Sequence, residues 1–177
     1  IKAMLALGFS FGGFFIIIAK TSFIYIEHFK IQTDYFPFFF GINFIILILM
    51  IKVNVSLLKK FNPVELVKIA ILIQTAAGIL FVFNYENIGL VTIVILIAIY
   101  MSMMAFIFGN CMALALEHFP KNAGVALGVI WVLQFGLGAI ISSIALNFHN
   151  ETFLPIALSI SVISFFAYLI MRTYKNV

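Results

Sequence analysis

Six long, mostly apolar runs divide this chain, at approximately 3–26, 36–55, 64–83, 89–116, 123–146 and 153–171. A helix crosses a hydrocarbon core with roughly 20 apolar residues. In lipid only helices and closed barrels satisfy their own backbone, and no run alternates as a strand does. The expected fold is therefore all-α and integral to a membrane: one six-helix domain over residues 1–177. Composition leads to the same class. The chain is 65% hydrophobic and only 9% charged, where a soluble domain carries about 25% charged residues. A chain of this size must keep a large wetted surface, so the apolar surplus cannot all be core. The first run is too long for a signal peptide. A start at Ile1 suggests a fragment of something longer.

The breaks between runs carry helix-start chemistry. Thr33 and Asp34 precede the second run, with Pro37 in its first turn. Asn62, Pro63 and Glu65 read as N-cap, N1 and N3 of the third. Pro120 and Asn122 separate the fourth from the fifth, and Asn150 and Glu151 precede the sixth. Lysine and arginine placement sets the orientation. Lys2, Lys52, Lys59, Lys60, Lys68, Lys121, Arg172 and Lys175 lie at one set of ends, against Lys30 and the slightly deeper Lys20 at the other. By the positive-inside rule both ends of the segment and the 56–63 and 117–122 loops are cytoplasmic. Between membrane spans, the net charge of +4 reads as topology rather than as a nucleic-acid surface. Asn54-Val55-Ser56 and Asn150-Glu151-Thr152 match the glycosylation pattern but carry little weight, since short sequons arise by chance.

The runs differ in texture. The third (IAILIQTAAGILFVF) and the sixth are bulky and apolar and should face lipid. The first, fourth and fifth hold small and polar residues, as helices packed around something polar do. Gly124 and Gly128 form a GxxxG, with Gly136 and Gly138 further along, and read as a helix-packing motif.

Two stretches resemble a known family. TSFIYIEHFKIQTDYFPFFFGIN (21–43) is similar to the seventh-to-eighth-span region of the Bcr/CflA-type multidrug transporters, drug:proton antiporters of the major facilitator superfamily. Phe23, Tyr25, Glu27, Phe36, Phe40 and Asn43 are among the matching positions. GNCMALALEHFPKNAGVALGVIWVLQFGLGAIIS (109–142) resembles spans ten and eleven of that family, through Asn110, Pro120, Gly124, Gly128, Gln134 and Gly138 among others. Gly109 and Ser22 stand where prolines are common, and Lys20 stands where a small or hydroxyl residue is usual. The resemblance implies half of a major-facilitator fold, two inverted three-helix repeats. The chain would be the C-terminal half (spans 7–12) of an efflux transporter in a bacterial inner membrane. Its partners would be the lipid bilayer, an N-terminal six-helix half and a small amphipathic substrate, with no nucleic acid. The first, second, fourth and fifth helices would line or flank the cavity. No cofactor is expected; a proton gradient would supply the energy.

Six residues are candidates for the substrate cavity: Lys20, Tyr25, Asn43, Asn110, Trp131 and Gln134. Lys20 either snorkels to the outer headgroups or faces a watered cavity. Asn43 and Asn110 suit interhelical hydrogen bonds, and Gln134 suits that role and ligand contact equally. Tyr25, Tyr100, Trp131 and the many phenylalanines could form an aromatic drug pocket or serve as packing and interface anchors. Met101, Met103, Met104 and Met112 suit an adaptable surface or ordinary filling. All six carboxylates, Glu27, Asp34, Glu65, Glu86, Glu117 and Glu151, fall at span ends or in loops. The resemblance therefore implies that the proton carrier lies in the other half. His28, His118 and His149 sit at span ends without metal-ligand spacing. Cys111 is the single cysteine. No phosphate loop or nucleophile elbow is present, so no enzyme is expected. The alternative to transport is a six-span scaffold or assembly subunit.

Overall fold

The computed structural model describes residues 1–84, 88–147 and 153–174. Glu86, His149, Asn150, Glu151, Thr152 and Lys175 lie outside them. The described residues form α1 (Lys2–Ser22), α2 (Phe36–Leu57), α3 (Pro63–Phe83), α4 (Leu90–Ser102), α5 (Met104–Leu116), α6 (Ala123–Asn147) and α7 (Leu154–Arg172). A π-helical turn, Phe23–His28, extends α1, and a short 3₁₀ turn, Thr33–Tyr35, opens the second span. Together these make six helical segments long and apolar enough to cross a membrane. α4 and α5 are one span interrupted at Met103, where the sequence reads as a continuous run.

Local chemistry fixes the ends. Asn62 Oδ1 accepts from the Val64 N–H at 2.8 Å, and Pro63 opens α3. At the last turn of α7 and just beyond it, the carbonyls of Thr173 and Tyr174 accept from Lys2 Nζ at 3.0 Å and Lys68 Nζ at 3.3 Å. Several hydroxyls inside the spans bond back to their own helices, as Thr21 does to the Ile17 carbonyl at 2.6 Å and Thr75 to Ile71 at 2.8 Å. That spares each a polar group stranded in lipid.

The neighbour relations carry an internal symmetry. The first span packs on the fifth and sixth, and the fourth packs on the second and third. The third and sixth pack on each other, as do the first and fourth. Exchanging the first three spans for the last three reproduces this pattern. Three is an odd number of crossings, so the exchange also reverses direction through the membrane. This is the relation of two inverted three-helix repeats.

Glycines allow the closest approaches, but not the ones the GxxxG pattern suggests. A Cβ on Gly8 would lie 2.9 Å from Leu137 Cδ1, and one on Gly12 would lie 2.8 Å from Ile141 Cγ2. These contacts seat α1 on α6. A Cβ on Gly138 would lie 3.2 Å from Phe11 and from Phe15, whereas one on Gly124, Gly128 or Gly136 would meet nothing within 4 Å. Of the expected packing motif, only Gly138 packs within the described residues. The inward stripe of α6 is Ala126, Ile130, Gln134, Gly138 and Ser142, spaced by four. Gly124, Gly128 and Gly136 are each two residues off it, about 200° around the helix.

The third and sixth spans also depart from a purely lipid-facing role. Each exposes one face, Ile69, Leu72 and Leu80 on α3 and Val162, Phe165 and Leu169 on α7. Their other faces meet at Gly78, whose added Cβ would lie 3.0 Å from Ser161 Cα. Gln74, inside the run that looked purely apolar, donates its Nε2 to the Tyr100 carbonyl at 3.1 Å, close to the α4–α5 break. The Tyr100 hydroxyl shares a 2.7 Å hydrogen bond with Ser164 Oγ and packs where a side chain on Gly13 would stand. One residue thus ties α1, α3, α4 and α7 together near mid-membrane.

Candidate functional site

α2 is apolar nearly all round, and its two buried residues are both asparagines, Asn43 and Asn54. Eleven residues apart, they share one helix face, about 20° from alignment. Asn54 meets Asn110 of α5 in a reciprocal amide pair. Asn110 Nδ2 donates to Asn54 Oδ1 at 3.0 Å, and Asn54 Nδ2 to Asn110 Oδ1 at 3.3 Å. A buried, paired Asn54 also disposes of the first glycosylation pattern.

The pair lines a groove of about 530 Å³ between α1, α2 and α5. Phe11 and Phe14 of α1, Phe44, Leu47 and Ile51 of α2, and Met104 and Phe108 of α5 form its walls. Ligand pockets fall in this size range and share this character, apolar and aromatic with a few placed polar groups. Each amide spends one N–H and one lone pair on its partner. One N–H and one lone pair on each remain for a guest. Behind the groove, Phe11 and Phe108 continue into an aromatic cluster. Phe108 meets Trp131 edge-on at 5.6 Å, Trp131 stacks on Phe135 at 5.4 Å, and Phe135 meets Phe11 at 4.9 Å.

The six candidate residues do not converge. Asn110 lines the groove, and Trp131 is one ring removed from it. Lys20 is half-buried towards the C-terminal end of its span, its Nζ 5.9 Å from the Phe23 ring centroid. Tyr25 is buried in the π-helical turn against Phe36 and Phe39. Asn43 donates to the Phe39 carbonyl of its own helix at 2.9 Å, not across to another. The Tyr25 and Asn43 side chains interact across the first two spans, although neither Asn43 Oδ1 nor Tyr25 Oη completes a well-formed hydrogen bond among the described residues. Sequence reasoning missed Asn54 and Gln74, and it named the phenylalanines as a possible aromatic pocket without singling out those of the groove. The spacing of Asn43 and Asn54 on an otherwise apolar helix was the available signal for the first.

Two curated proteins align with the chain. A bicyclomycin resistance protein homolog from Haemophilus influenzae is 30% identical over 169 residues, covering 93% of this chain and 42% of that protein. An uncharacterized MFS-type transporter of Bacillus subtilis, YdgK, is 27% identical over 156 residues, covering 85% of this chain and 38% of that protein. Over most of its length the chain is similar to these two proteins, one of them named as a transporter of the major facilitator type. The first match agrees with the resemblance to the Bcr/CflA type. The chain spans about two fifths of the length of these relatives. No family model matches it, and no solved structure does. In this superfamily's terms the paired three-helix repeats make one half of the fold, and the groove lies against its first, second and fourth spans.

Gln134 stands apart. It is buried on the α6 stripe that faces α1, and neither its Nε2 nor its Oε1 has a partner among the described residues. A buried amide without partners costs about 1–3 kcal/mol. Gln134→Leu should therefore raise unfolding stability in mild detergent by about that amount. Destabilisation by the leucine would mean that the amide is bonded after all.

Proposed function

We propose that the chain is the C-terminal six-span half of a drug-efflux transporter of the bacterial inner membrane. The whole protein exports small amphipathic compounds in exchange for protons by alternating access, with both ends of this segment cytoplasmic. The observation that carries the reading is the groove, whose phenylalanine walls and amide pair suit a guest with an apolar body and one or two polar groups. The names of the two relatives support it. α2 and α6 bury the smallest share of their residues in the bundle, which leaves large apolar faces for an N-terminal six-span half to cover. The described carboxylates, Glu27, Asp34, Glu65 and Glu117, lie at or beyond the helix ends. The proton carrier is therefore assigned to that other half. The chemistry is transport without a bound cofactor, not catalysis.

Cysteine labelling on the protein at its natural length tests the reading. Cys111 is buried and is first replaced by alanine. Single cysteines are then placed at Val55 and Gly109, which line the groove and are exposed. A membrane-impermeant thiol reagent should label both, and a transported drug should slow labelling about tenfold or more at concentrations near saturation. Labelling that ignores every exported compound would remove the groove as the substrate site. No labelling at either position would favour a packed scaffold.

A further inference from the structure

A second groove flanks α2 on the side facing α3. Met50, Leu57, Phe61, Ile69, Ile73 and Phe106 are among its lining residues, and it encloses about 330 Å³. Every lining side chain is apolar. It shares no lining residue with the drug groove. Its length is informative. From the turn at Phe61 to Ile73 is about twelve residues, roughly 15–18 Å of helix rise. That is about half of a hydrocarbon core of about 30 Å, the depth of one leaflet.

The mouth of the groove is basic. Phe61 and Leu57 line it, and the turn between them carries Lys59 and Lys60, both exposed. Glu65, in the first turn of α3, and Glu117, at the C-terminal cap of α5, are acids at this end. Lys68 is taken up by the Tyr174 carbonyl. An apolar slot one leaflet deep, opening under a pair of lysines, matches a phospholipid with a negative headgroup. The tail is driven by its exclusion from water and the phosphate by the ammonium groups.

We propose that this groove seats one acyl chain of an anionic phospholipid whose phosphate is held by Lys59 and Lys60. The site is separate from the substrate groove and independent of the efflux reading.

Bromolipid quenching tests it on the protein at its natural length. All tryptophans, Trp131 included, are replaced by phenylalanine, and one reporter is introduced as Ile69→Trp, with Ile73→Trp as a second should the first misfold. Phe165→Trp, on an exposed face of α7, is the control. The protein is reconstituted in phosphatidylcholine with increasing dibrominated phosphatidylglycerol. At the groove reporters the anionic lipid should compete about fivefold better than phosphatidylcholine, the effect of roughly one lysine-phosphate contact. The control should show no preference. Lys59→Gln and Lys60→Gln together should erase the groove preference. Equal preference at groove and control, or a preference that survives loss of the lysines, would overturn the proposal.

Discussion

A valine in place of Gly78 is expected to split the third span from the sixth and destabilise the bundle by more than about 3 kcal/mol, beyond the usual overpacking range. An added Cβ there would sit 2.7 Å from Ser161 Oγ, 3.0 Å from its Cα and 3.1 Å from its N. Two of these are backbone atoms, so no rotamer change relieves them. The hydroxyl is also committed, donating to the Ala157 carbonyl at 2.6 Å. Relief requires the two helices to separate, and separation loosens the neighbouring polar tie of Tyr100 to Ser164. Even alanine should cost about 1–3 kcal/mol, less what it gains over glycine in helix propensity. Gly124→Val is the paired control. With open space at that position, it should stay within about 0.5 kcal/mol of the parent when unfolding of this six-span segment is followed in detergent. Comparable losses at both positions would show that glycine content, not contact, governs stability here.

That contrast marks how far the sequence could be read. The six spans were legible because hydropathy and capping act locally. The run 64–83 is apolar, and Asn62 and Pro63 start its helix through contacts within three residues. The choice of inward face was not legible, because it is made by partners distant in the chain. GxxxG at Gly124 and Gly128 is a sound local pattern on the outward side of α6, while Gly8, Gly12 and Gly78 make the close approaches. The interruption at Met103 has no glycine or proline beside it. Gln74, twenty-six residues before Tyr100 in sequence, meets the carbonyl near the break, and such support is invisible in a hydropathy window. The candidate site was half legible. Asn110 was read as a hydrogen-bonding residue and is one, but its partner Asn54 was read only within a surface motif. Lys20, Tyr25 and Asn43 drew notice for polarity inside an apolar run. They gather towards the opposite end of the first two spans from the Asn54–Asn110 pair. Polarity in a span marks contact with something other than lipid, and a neighbouring helix satisfies that as well as a substrate does.

The asparagine pair offers the means to separate those two uses. Asn110→Leu should destabilise the protein by about 1–2 kcal/mol, because it leaves the Asn54 amide buried without its partner. Asn54→Leu should do the same from the other side. The double variant strands no amide and should return to within about 0.5 kcal/mol of the parent, since replacing both partners by apolar groups is nearly neutral. Its stability and its activity should then diverge. Each amide, lining the groove, keeps one N–H and one lone pair beyond those spent on its partner, and these can bond a guest. Losing two neutral hydrogen bonds, each about 0.5–1.5 kcal/mol, should weaken drug-protected labelling and export by about tenfold or more. Such a protein is folded as firmly as the parent and poor at export, a combination that a purely structural pair cannot produce. A double variant as stable and as active as the parent would confine the pair to holding α2 against α5. The groove would then select its guests through Phe11, Phe14, Phe44 and Phe108, by apolar contact alone.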